Sequence, residues 1–137
     1  VTGAGLITGA TPKISELGVQ YQSRMPNSNM NRIYMESAKS LGLNPEDLGI
    51  PSRASTDFGN FSRLKPGIHP SFAIDGNPSI PGHSKEFASA ANSNMAFENM
   101  LKAAAAMGST GLNFLLDTKF RENVIKEFKS CSEPENT

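Results

Sequence analysis

The sequence has a single cysteine, Cys131, no tryptophan and only 2 histidines among 137 residues. One cysteine excludes an internal disulfide and fits a reducing compartment, so a cytoplasmic setting is expected. A surplus of either charge is also missing, since 13 basic residues balance 13 acidic ones. That balance removes the electrostatic case for nucleic acid or an anionic membrane surface as a partner. No apolar run approaches the length of a membrane span, so no membrane is expected either. Hydrophobic residues reach only 37%, alongside 12 glycines and 9 prolines, which predicts that part of the core lies outside this chain. Val1-Thr2-Gly3 carries neither Met nor a basic-then-apolar signal, as expected of a chain entered in its middle.

The clearest local signal is "PNSNMNRIYMESAKSLGL". Met30, Ile33, Tyr34, Ala38 and Leu41 recur at helical spacing, Ser28 is a candidate N-cap and Gly42 a terminator, so a helix is predicted over 29–41. Ile14, Leu17, Val19 and Tyr21 alternate weakly, which suggests an edge strand broken by Pro12 and Gly18. "NPEDLG" at 44–49 reads as a short helical turn, and "GIHPSFAID" at 67–75 as a short strand with Ile68, Phe72 and Ile74 inward. A helical pattern then runs from about Asn92 to Leu116, with Phe97, Leu101, Ala104, Gly108, Leu112 and Leu115 on the face expected to be buried. Asp117 or Thr118 can cap a last helix through Lys129, with Phe120, Val124, Ile125 and Phe128 inward.

Residues able to carry chemistry are sparse. His69 and His83 stand fourteen positions apart with no His-x-x-x-His pair and no second cysteine. A hydrolytic zinc centre needs about three protein ligands and an open position, so two histidines supply at most part of one. No Gly-x-Ser-x-Gly elbow is present, and the glycines of "GAGLITG" lack the spacing of a phosphate loop. Two small polar clusters remain, "STDFGN" at 55–60 and "PGIHPSF" at 66–72.

Taken in order, "ASTDFGNFSRLKPGIHPSFAI", "GHSKEF" and the helix "AFENMLKAAAAM" resemble the C-terminal part of the dinuclear zinc hydrolases of the aminoacylase and carboxypeptidase type, peptidase family M twenty. The nearest branch in appearance holds the p-aminobenzoyl-glutamate hydrolase subunits and the β-alanyl-dipeptidase-like amidohydrolases. Those proteins carry a Gly-Ser-Thr-Asp-x-Gly-Asn stretch, a Pro-x-Ile-His-Pro strand and a His-Ser/Thr-Pro-x-Phe loop. Two departures stand out: Lys85 where the family has Pro, and Ala54 where it has Gly.

The resemblance implies an α/β fold, the C-terminal portion of a three-layer αβα catalytic domain with a mixed central sheet. Residues 1–18 would then end an inserted lid (dimerisation) domain with its last strand, 19–130 form the catalytic part, and 131–137 a polar tail. It implies hydrolysis of the amide bond of a dipeptide or N-acyl amino acid by a metal-activated water. The cofactor would be a divalent metal, zinc by family habit, two per complete site, with His83 as the one ligand supplied here. Ser55, Thr56, Asp57 and Asn60 would line the substrate pocket, with His69 facing it. The complete protein is expected to be a homodimer. No catalytic residue is assigned within this chain, which alone is expected to be inactive because the N-terminal half of the site would be absent. The competing expectation is a non-catalytic relative that keeps the fold as a binding module or partner subunit.

Overall fold

The computed structural model describes residues 1–47, 56–74 and 80–132. Among these residues six helices follow in chain order: α1 (Thr2–Thr8), α2 (Ser28–Ser40), α3 (Phe58–Ser62), α4 (Lys85–Ala91), α5 (Asn94–Leu116) and α6 (Thr118–Ser132). Among the described residues there is no strand.

The predicted helix over 29–41 is α2, and its start differs by one residue. Asn27, not Ser28, is the N-cap: its side chain accepts the Met30 N–H at 3.0 Å. At the other end Gly42 takes φ 79, with Gly42 N–H bonded to Lys39 O at 3.0 Å and Leu43 N–H to Ala38 O at 3.0 Å. These two bonds satisfy carbonyls that the helix end would otherwise leave open, and only glycine takes that backbone angle without strain.

α2 lays Tyr34 and Ala38 against α5, where Ala106 is fully buried, and Met35, Leu43 and Ile68 pack around this centre. Burial pushes the Tyr34 phenol above its ordinary pKa. α6 packs on both helices and contributes Phe120 and Val124 to the interior, whereas Ile125, also expected inward, is exposed. Asp117 is its cap, accepting the Phe120 N–H at 2.9 Å, as the sequence suggests.

The face of α5 is where expectation and structure part. Its buried residues are Ala96, Ala103, Ala106 and Thr110, a stripe at spacings of seven, three and four. The larger residues expected inside point outward: Phe97, Leu101, Leu112 and Leu115 are 58%, 52%, 55% and 71% exposed. The helix is apolar on two sides, and α2 can cover only one. The small-residue side wins because it lets the two backbones approach and lets Ser37 Oγ meet Ser109 Oγ at 3.0 Å.

Three shorter expectations also differ. Residues 44–47 are not helical, and 48–49 lie outside the described residues. Segments 12–21 and 67–74 form no ladder, since a strand exists only through a paired neighbour. The second is instead pinned by its ends: Gly67 packs under the Phe58 and Phe61 rings, and Ala73 O accepts from Asn99 Nδ2 of α5 at 3.0 Å. α4 is separate from α5, capped by Ser84, whose Oγ accepts the Phe87 N–H at 3.0 Å.

A long-range contact ties α6 to the start of α2. The Glu127 carboxylate accepts the Ser28 N–H at 2.6 Å, the Asn29 N–H at 3.1 Å and Asn29 Nδ2 at 2.8 Å. Burial raises the carboxyl's pKa, but the backbone N–H groups of Asn29 and Ser28 outweigh it and hold it below the ordinary value. A depressed folded pKa means a stabilising contribution that is complete above the unfolded pKa of about 4.3 and is lost as pH falls through the folded value. Glu127→Gln should therefore cost about 1 kcal/mol at neutral pH and flatten the acid limb of stability, measured by urea unfolding from pH 7 down to pH 3. An unchanged acid limb would show that the contact contributes nothing.

Candidate functional site

α3 and the turn before it hold the polar cluster singled out from the sequence. Thr56 opens the turn: its carbonyl accepts the Gly59 N–H at 3.2 Å and its Oγ1 the Phe58 N–H at 3.3 Å. Asp57 follows at φ −65, ψ −12, and its carbonyl receives the Asn60 N–H at 3.0 Å. Its carboxylate makes no cap hydrogen bond to α3 and the residue is exposed, so this negative charge is presented to solvent. Ser55 and Ala54 lie outside the described residues.

The loop is fastened to residues forty positions upstream. Asn60 Oδ1 accepts the Gln22 N–H at 3.1 Å while its Nδ2 donates to Gln20 O at 2.9 Å. Ser62, fully buried, accepts the Met25 N–H at 2.9 Å and donates to Gly59 O at 2.8 Å. Arg63 completes the row, donating from Nε to Ser23 O at 3.2 Å and from Nη2 to Ser23 Oγ at 2.6 Å. Gly59 lies so close to this strand of chain that a Cβ there would fall 1.8 Å from Gln22 O.

His69 joins the same cluster. Its ring stacks on Phe58 with centroids 5.1 Å apart and 22° between planes, and its Nδ1 stands 3.5 Å from Arg24 Nη1. Phe58 in turn packs on Phe61 at 5.8 Å. Thr56, Asp57, Asn60 and His69 are thus gathered by one small unit, along with Arg24, which the sequence reading passed over. No local pattern marks Arg24; only the long-range pairing of 20–25 with α3 brings it there.

His83 sits elsewhere, in the exposed turn that enters α4. It is the one non-glycine residue among those described with a positive φ, 64°. A side chain in this region is strained, and such strain gathers where a residue's direction matters. Ser84 beside it caps the helix and donates to Pro81 O at 2.8 Å, fixing the turn. Lys85 occupies the first helical position, where proline is favoured but a missing N–H is not required. The departure at Lys85 is therefore conformationally mild.

The residues described do not make a metal centre by themselves. Among them no group of three or more His, Cys, Asp or Glu side chains could hold an ion. His83 can be at most one arm of such a centre. A surface depression of about 390 Å³ runs along α2, lined by Arg32, Glu36 and Lys39 among others, and contains none of the predicted site residues. No helix among the described residues is long and apolar enough to cross a membrane.

No family model matches the chain. Two curated proteins do match it, both named Xaa-Arg dipeptidase. The mouse protein is 38% identical over 130 residues, covering 92% of this chain and 30% of its own length. The human protein is 35% identical over 130 residues, again 92% of this chain, and 29% of its own length. The chain therefore spans a little under a third of the curated relatives it matches, and over nearly all of its own length it is similar to hydrolases of the dipeptidase kind.

Proposed function

We propose that this chain is the C-terminal part of a metal-dependent dipeptidase, or close amidohydrolase, that cleaves an amide bond next to an amino acid. The observation that carries the reading is the similarity to Xaa-Arg dipeptidases across 92% of the chain. The fold supports it in a second way. α5 presents Phe97, Leu101, Leu112 and Leu115 outward on a helix already packed by its other side, as a helix of an αβα layer does before its sheet is in place.

In this reading the unit built on α3 lines the substrate pocket. Asp57 offers a carboxylate, Arg24 a guanidinium and His69 an imidazole, and a dipeptide with a free amino end and a free carboxylate carries charges that such groups recognise. His83 supplies one ligand to a divalent ion, with zinc as the proposed metal, and the other ligands come from outside these 137 residues. The complete protein is proposed to work as a homodimer.

The test is metal content and turnover of the complete protein with His83→Gly. Glycine suits the φ of 64° at this position, so the turn is kept while the imidazole is lost. The expected result is loss of about one metal ion per chain, since removing one ligand of about four empties a site, together with loss of dipeptide hydrolysis. Full metal content and full activity in this variant would defeat the assignment.

A further inference from the structure

We infer that Asn60 is a positioning residue, one that fixes the geometry of the proposed pocket by clamping its backbone. This rests on the hydrolase reading for its catalytic consequence, but the clamp itself stands on geometry. Both ends of this amide are engaged with the chain, Oδ1 with Gln22 N–H and Nδ2 with Gln20 O, which fixes where the side chain points and what it holds. An amide accepts at one end and donates at the other, and here it spans a carbonyl and an N–H at the two ends of the three-residue stretch Gln20-Tyr21-Gln22. Aspartate at this place would keep the acceptor and lose the donor. Glutamine would reach one methylene too far.

The clamp has a definite product. Segment 20–25 has no ladder of its own, so its position is set by side chains of α3 and the residue after it. Asn60 holds Gln20 and Gln22, Arg63 holds Ser23, and Ser62 holds Met25. Arg24 is enclosed between the last two attachments and is thereby set beside His69, which leans on Phe58 of the same helix. Asp57 precedes that phenylalanine. One rigid unit then carries a carboxylate, a guanidinium and an imidazole, and Asn60 is the fastening nearest its start.

The experiment is a double-mutant cycle in the complete protein, read by kcat and KM on a dipeptide ending in arginine and by amide hydrogen exchange. Asn60→Ala removes the clamp, and Gln22→Pro removes the N–H that Asn60 holds. Gln22→Ala keeps that N–H and should behave as the wild type. Asn60→Ala should speed exchange at the Gln22 amide roughly tenfold, the factor of one lost hydrogen bond, while the amides of α2 and α5 keep their protection. It should lower kcat/KM by a similar factor without loss of metal. The double variant should lose no more than the worse single one, because both remove the same contact. Additive losses in an active enzyme would overturn the inference alone, and so would unchanged exchange at Gln22. Absence of dipeptide turnover by the wild type would defeat the hydrolase reading and the catalytic part of this one together.

Discussion

Gly59→Ala should be among the most damaging single-methyl additions in this chain. The new Cβ would lie 1.8 Å from Gln22 O and 2.8 Å from Gln22 C, and both are backbone atoms that no rotamer change can move. Either segment 20–25 leaves α3, with loss of the Asn60, Ser62 and Arg63 bonds, or α3 itself deforms. Overpacking against backbone belongs at the upper end of such costs, about 3 kcal/mol. Urea unfolding should show that loss, and the Gln22 and Met25 amides should lose exchange protection. The same change at Gly108, exposed within α5 and with nothing within 4 Å of its Cβ position, should act in the opposite direction. It should stabilise by about 0.5–1 kcal/mol through helix propensity. Equal effects at the two glycines would mean that the close approach of α3 to Gln22 is not real.

The contrast between the two glycines is also the contrast between what can and cannot be read along a sequence. α2 and α6 are legible because their periodicity is one-sided; the Asp117 cap of α6 lies three residues from the N–H it serves, whereas at α2 Asn27 and Ser28 are neighbouring cap candidates and the structure uses Asn27. α5 is legible as a helix but not in its facing. Leu101 and Leu112 on one side and Ala103 and Ala106 on the other are both apolar, and periodicity cannot rank two apolar stripes. α1 and α4 are seven residues each, too short for a pattern to rise above Gly- and Ala-rich surroundings. The alternation of Ile68 and Phe72 speaks of extended chain, whereas pairing is a property of two segments.

The same limit governs the candidate site. "STDFGN" stands out as a polar cluster, and the turn it makes is local. What holds it is not. Asn60 reaches Gln20 and Gln22 across about forty positions, and nothing in either stretch announces the other. An amide that looks available in the sequence is spent on the backbone in the structure. His83 shows the converse case: the turn "PGHSKEF" suggests no strain, yet φ 64° at a histidine directs the imidazole by backbone geometry.

Asn27→Ala should produce the second large effect, because one buried amide serves two helices. Asn27 is 2% exposed; its Oδ1 accepts the Met30 N–H at 3.0 Å and its Nδ2 donates to Val124 O of α6 at 3.1 Å. The cap contributes about 1 kcal/mol and the bond to Val124 about another, so alanine should cost about 2 kcal/mol in urea unfolding. Asn27→Ser separates the two roles: serine keeps the cap but cannot reach α6, and about half of the loss should return. If serine were as damaging as alanine, the cap would carry no weight. If alanine cost under about 0.5 kcal/mol, the range of a plain surface change, the amide would not join the helices at all. The position matters because Asn27 lies two residues beyond Met25, the last residue of the clamped segment. The chain from Gln20 to Asn27 is thereby held to α3 at one end and to α6 at the other. Loosening Asn27 should accordingly raise exchange at the Met25 amide as well, which links the stability of the helical core to the order of the site.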